Sequence, residues 1–152
     1  MLEIGNPAPD FILDTDTQGT ITLSNLKGKR VVVYFYPKDM TPGCTQEACD
    51  FRDHYSQLED NHTVIIGISK DSLKSHSKFR EKENLNFILA SDPEGATCEA
   101  YGVWVEKSMY GKKYFGIERA TFLIDENGFL QKIWRSVKVK GHVDEVLKSI
   151  KG

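Results

Sequence analysis

A thiol at the opening of a helix, reached through a loop bounded by prolines, is the most chemically capable feature of this chain: Pro37-Lys38-Asp39-Met40-Thr41-Pro42-Gly43-Cys44. The stretch follows Val31-Val32-Val33-Tyr34-Phe35-Tyr36, a continuous apolar run that reads as a central strand. Thr41 is suited to N-cap a helix and Pro42 to its first position. Cys44 then lies in the first turn, where backbone N–H groups lack partners and the helix dipole is positive. That setting favours thiolate, the reactive form of cysteine. The competing reading is a packing cysteine, because Cys44 shares a helical stripe with Ala48, Phe51, Tyr55 and Leu58.

A second cysteine, Cys49, follows five positions later. Five helical residues turn through ~500° and rise ~7.5 Å, so the two side chains point ~140° apart. A disulfide needs Cα atoms within about 7 Å and facing Cβ vectors. A Cys44–Cys49 bond is therefore expected only if the first turns of the helix unwind. The third cysteine, Cys98, reads as a small buried residue, with an alternative role as a second partner thiol. Cys44, Cys49 and His54 do not converge as metal ligands, because steps of ~140° place them on different faces. Glu47 reads as a favourable charge near the helix N-terminus. Lys107, Lys112 and Lys113 read as a solvated loop. Arg119 stands at the mouth of an apolar strand and needs a partner, either a thiolate or a surface carboxylate such as Glu118 or Glu126.

The elements that must position these groups are legible in outline. Phe11–Asp14 and Thr20–Leu23 read as a hairpin, and Val64–Ile68 and Phe87–Ala90 as strands. The helix beginning at Pro42 is expected to reach Leu58, and Ser72–Glu83 reads as a charged surface helix. Asp92-Pro93-Glu94-Gly95 makes a turn into a short helix over Thr97–Tyr101. Thr121–Asp125 and Phe129–Trp134 flank Asn127-Gly128, a strong hairpin signal, and Val143–Ile150 closes the chain as a helix. This order predicts an α/β fold with a central mixed sheet flanked by helices.

With 152 residues, 39% of them hydrophobic, the chain fits one domain over 1–152. A net charge of -2 argues against a nucleic-acid or anionic-membrane partner. There is no signal-peptide pattern and no apolar run of membrane-spanning length, so the cytoplasm, with reduced resting thiols, is the expected compartment. No Walker loop or dinucleotide fingerprint occurs.

The pattern Pro37-x-x-x-Thr41-x-x-Cys44 resembles the active-site motif of peroxiredoxins, thiol peroxidases on a thioredoxin fold. The pair Cys44-x-x-x-x-Cys49 is similar to that of their bacterioferritin comigratory protein (Q-type) subgroup. The likeness extends over nearly the whole chain, through Gly5–Phe11, Tyr101–Trp104, Met109–Tyr114 and Arg119–Asp125. It implies a thioredoxin fold with an N-terminal β-hairpin extension. It implies reduction of hydrogen peroxide and organic hydroperoxides, with Cys44 as the peroxidatic cysteine. Thr41 would hydrogen-bond the peroxide, Arg119 would stabilise the thiolate and the departing oxygen, and Pro37 would shield the site. Cys49 would be the resolving cysteine, and a thioredoxin-like dithiol would reduce the disulfide. A monomer without metal or prosthetic group is implied. Two rivals stand beside it. One is a thiol–disulfide oxidoreductase, which usually carries Cys-x-x-Cys. The other is a copper-carrying or peroxide-sensing module on the same fold.

Overall fold

β3, Arg30–Phe35, is the strand around which the molecule is built, and its sequence explains why. Every residue from Val31 to Phe35 is buried, as expected of a strand covered on both faces. A computed structural model describes residues 1–151; Gly152, the end of the expected domain, lies outside them. In chain order the elements are β1 Ile12–Thr15, β2 Thr20–Thr22, β3, α1 Pro42–Asp53, α2 Tyr55–Asp60, β4 Thr63–Ser69 and α3 Leu73–Glu83. Then come β5 Ile88–Ser91, α4 Ala96–Ala100, β6 Trp104–Met109, β7 Lys112–Ile117, β8 Ala120–Ile124, β9 Leu130–Trp134 and α5 His142–Lys151.

Seven strands form one mixed sheet in the order β2-β1-β5-β4-β3-β8-β9. β3, β4 and β5 run parallel, while β8 lies antiparallel to β3, and β1 to β5. The expected N-terminal hairpin is β1–β2, with Leu13 opposite Ile21. Alternate residues of β3 feed two cores. Val31, Val33 and Phe35 pack with Cys98, Tyr101 and Phe122 on one side. Val32 and Tyr34, with Tyr36 just beyond the strand, pack on the other with Cys44, Ala48 and Phe51 of α1, Leu58 of α2, Phe79 of α3 and Val146 of α5. Among the described residues, no helix is long and apolar enough to cross a membrane.

Two expectations need correction. The helix expected from Pro42 to Leu58 is broken at His54, whose φ of -104° and ψ of 8° are not helical. The His54 N–H is shared between the Asp50 and Phe51 carbonyls, and its imidazole Nδ1 sits 2.8 Å from the Asp50 carbonyl oxygen. This local competition tightens the last turn of α1, and α2 restarts beyond it. The lysines read as a solvated loop belong to strands. Lys107 pairs with Tyr114, Ser108 with Lys113 and Met109 with Lys112 in a separate two-stranded ribbon. Tyr110 and Gly111 turn the ribbon with φ of 52° and 79°, the positive values of a two-residue hairpin turn.

Candidate active site

The loop from Pro37 to Thr41 carries the chain from the end of β3 into α1. Thr41 has the extended conformation of an N-cap, and its carbonyl accepts the first helical bond from the Thr45 N–H at 2.8 Å. Its hydroxyl does not cap the helix; it donates to the Lys38 carbonyl at 2.9 Å. Pro37 is exposed at the rim of the loop. Cys44 is the third residue of α1 and only 2% exposed.

Arg119, in the short link between β7 and β8, brings the cation. Its Nη2 donates to Cys44 Sγ at 3.4 Å and its Nη1 to Glu47 Oε1 at 2.7 Å. Neither Glu118 nor Glu126 is its partner: Glu118 accepts from Ser136, and Glu126 pairs with Arg30. The Arg119 backbone is fixed by the Val137 N–H, which donates to its carbonyl at 2.9 Å. Gly43 makes the approach feasible, since a Cβ there would lie 3.2 Å from Arg119 Nη2. A cation in contact with the sulfur stabilises negative charge on it.

Glu47 is a site residue rather than a surface charge for the helix terminus. It is fully buried, and its Oε2 has no hydrogen-bond partner. Burial outweighs the attraction of Arg119 and pushes its carboxyl up from 4.5 to about 7. Arg119 stays cationic; burial works against its charge, and Glu47 and Cys44 more than compensate. Glu47 is therefore the member of this pair that titrates. The signal was present in the sequence, because Glu47 falls on the buried stripe of Cys44, Ala48 and Phe51. Lys107 adds a second cation nearby. Its Nζ donates to the Ile117 carbonyl, and burial, then the Arg119 charge, lowers its pKa.

The other cysteines are placed differently. Cys49 is half-buried on another face of α1, with Sγ 3.6 Å from Glu83 Oε1 of α3. Burial and the Glu83 hydrogen bond raise its pKa, against the pull of Arg52. Cys98 is fully buried across the sheet from Cys44. Burial pushes its thiol far up, helped by Asp92, which also accepts the Cys98 N–H at 2.8 Å. The structure thus joins Cys44, Arg119 and Glu47 directly, places Thr41 at the N-cap of the same helix, and separates Cys98 by the sheet.

The AhpC/TSA family model matches residues 4–133. Peroxiredoxin Bcp of Bacillus subtilis is 55% identical over 150 residues, covering 99% of this chain and 96% of that one. A mutant of PrxQ from Xylella fastidiosa superposes with a TM-score of 0.94 at 38% identity, covering 99% of this chain and 96% of that chain. The bacterioferritin comigratory protein of Xanthomonas campestris, described by its alkyl peroxide reduction activity, superposes with a TM-score of 0.89 at 43% identity over 93% of this chain and 90% of its own. These neighbours share the thioredoxin fold of peroxiredoxins. Likeness of this extent, in sequence and in fold, shows that the chain belongs to the AhpC/TSA family as a peroxiredoxin of the Bcp, or Q, type, a thiol-dependent peroxidase.

Proposed function

We propose that Cys44 is the sulfur that reacts with peroxide. The observation that carries this reading is the Arg119 guanidinium held between Cys44 Sγ at 3.4 Å and Glu47 at 2.7 Å. The Cys44 thiolate attacks the terminal oxygen of a hydroperoxide. The O–O bond breaks, sulfur becomes a sulfenic acid, and the departing oxygen leaves as alkoxide or hydroxide and takes up a proton. Arg119 stabilises the thiolate before attack and the charge on the departing oxygen during it. The Thr41 hydroxyl donates its hydrogen bond to the Lys38 carbonyl, so its oxygen offers a lone pair to the O–H of the hydroperoxide. Pro37 shields the loop side of the site.

Cys49 is the resolving thiol. Its sulfur attacks the Cys44 sulfenic acid, an S–S bond forms, and water leaves. An external dithiol of the thioredoxin type reduces that bond and becomes a disulfide itself. Burial, helped by the Cys49–Glu83 hydrogen bond, holds the pKa of the resting thiol up while α1 is closed. Substrates are hydrogen peroxide and organic hydroperoxides, in keeping with the alkyl peroxide activity of the Xanthomonas relative. The chain acts as one domain over 1–152 and as a monomer. Three free thiols suit the reducing cytoplasm.

The test is peroxide consumption by Cys44→Ser, together with mapping of disulfide peptides after one equivalent of hydrogen peroxide. Loss of consumption in the variant and a Cys44–Cys49 linkage in the wild type are expected. Substantial turnover by Cys44→Ser would falsify the assignment.

A further inference from the structure

In the Pro37–Thr41 loop one side chain is buried, that of Asp39; Pro37, Lys38 and Met40 are exposed. Met40 has φ of 65°, a left-handed conformation that a non-glycine residue keeps only when its surroundings impose it. The residue before it, Asp39, is held from several sides. Its main-chain N–H donates to Asp71 Oδ2 at 2.8 Å. Its Oδ1 accepts from the Tyr36 hydroxyl at 2.6 Å, and its Oδ2 from Ser75 Oγ at 2.8 Å. The same Oδ2 faces His76 Nδ1 at 2.7 Å.

The protonation of this cluster follows from its partners. His76 Nε2 stands 3.0 Å from the Ala90 carbonyl, which only accepts, so Nε2 carries a proton. Nδ1 faces a carboxylate that already accepts two hydroxyl protons, so it carries one as well. His76 is an imidazolium paired with an ionised Asp39, both side chains 0% exposed. Burial opposes both charges, but the hydrogen bond and charge between them hold Asp39 below and His76 above their usual ranges. Asp71, facing the pair from the β4–α3 connection, is itself held by Ser69 Oγ at 2.6 Å. The loop is thereby tied at once to the end of β3, the β4–α3 connection, α3 and, through His76, β5.

We propose that the buried Asp39–His76 pair is a latch that positions the loop for peroxide binding, acting through the placement of Thr41 rather than through the charge on Cys44. The inference rests on the roles given above to Cys44 and Thr41. Cys44 draws its cation from Arg119, on a different part of the chain, so the latch and the thiolate are separable. Alkylation by iodoacetamide needs the thiolate alone. Oxidation by peroxide needs the thiolate and the peroxide-orienting loop.

The experiment compares Cys44 oxidation by hydrogen peroxide with its alkylation by iodoacetamide, each read by mass spectrometry of the Cys44 peptide. In Asp39→Ala the oxidation rate should fall about 10- to 100-fold while alkylation stays within about twofold, the size of loss expected from misplacement of a catalytic loop. Asp39→Asn should restore most of the oxidation rate, because its amide can donate to a neutral His76 Nδ1 and still accept from Tyr36. Should Asp39→Ala unfold, His76→Gln carries the same two readings. Equal losses in both reactions, or unchanged oxidation in Asp39→Ala, overturn the latch while leaving Cys44 in its role. A wild-type Cys44 inert to peroxide overturns both readings.

Discussion

Replacing Glu47 by glutamine removes a charge from inside the protein while keeping the shape of the side chain. Its carboxyl is raised from 4.5 to about 7, chiefly by burial. Each unit of pKa corresponds to about 1.4 kcal/mol. The folded protein therefore binds the Glu47 proton more tightly than the unfolded chain. The stability this confers is present in full below pH 4.5 and is lost as pH rises to about 7, a fall of about 3 kcal/mol. His142 works in the opposite sense. Burial lowers its pKa from 6.5 to about 4, so the unfolded chain takes its proton first and stability grows with pH over nearly the same window. The wild-type profile masks both groups, and the difference between variant and wild type isolates Glu47. Urea unfolding of the reduced proteins at about pH 5 and pH 8 should find Glu47→Gln gaining about 2–3 kcal/mol on the wild type between the two, with m unchanged. A difference that does not move with pH refutes the placement of an unpartnered carboxyl at the base of the site.

Cys49→Ser should consume about one equivalent of peroxide through Cys44, lose turnover coupled to thioredoxin, and keep turnover with a small thiol; undiminished thioredoxin coupling would remove Cys49 from the cycle. Oxidation of the wild type should lower the helical circular dichroism signal, since a Cys44–Cys49 bond cannot form across about one and a half intact turns; an oxidised protein of unchanged helicity with that bond would contradict the geometry. Cys98→Ala should leave both peroxide and thioredoxin kinetics unchanged, because Cys98 lies across the sheet, and should destabilise the fold by about 1 kcal/mol for the packing lost.

The strands with continuous apolar runs, β3 and β4, and the hairpin around Asn127-Gly128 were legible because burial and turn chemistry are written locally. The position of Thr41 and Cys44 at a helix start was legible for the same reason, since a helix start is a local event, although the Thr41 hydroxyl turns to Lys38 instead of capping. The break at His54 was not, since it depends on which of two carbonyls the His54 N–H prefers. The β6–β7 ribbon was hidden by its exposure. Lys112, Lys113, Tyr114 and Phe115 are exposed, so no apolar alternation marks the strand. Glu47 and His76 show a third kind of failure. Each sits in a buried helical stripe, Glu47 with Ala48 and His76 with Phe79, but a charged residue at such a position announces only that it needs a partner. That the partners are Arg119 and Asp39, 72 and 37 positions away, is a property of the folded chain.

The anchoring of α1 bears on how fast the site can be reset. Phe51 stacks on Tyr34 at 4.6 Å and is wholly buried, so the C-terminal half of the helix is held by the core, whatever happens to its opening turns. In the proposed cycle the opening turns that carry Cys44 unwind and later close on this anchored half, so the helix does not start from coil. The unfavourable step of making a first turn, which suppresses helix formation about a thousandfold, is already complete. Closure is elongation from a preformed end, on the order of nanoseconds per residue. Backbone rewinding is then fast beside bond making and breaking at sulfur, and what remains to be re-made is the packing of Cys44 against Arg119.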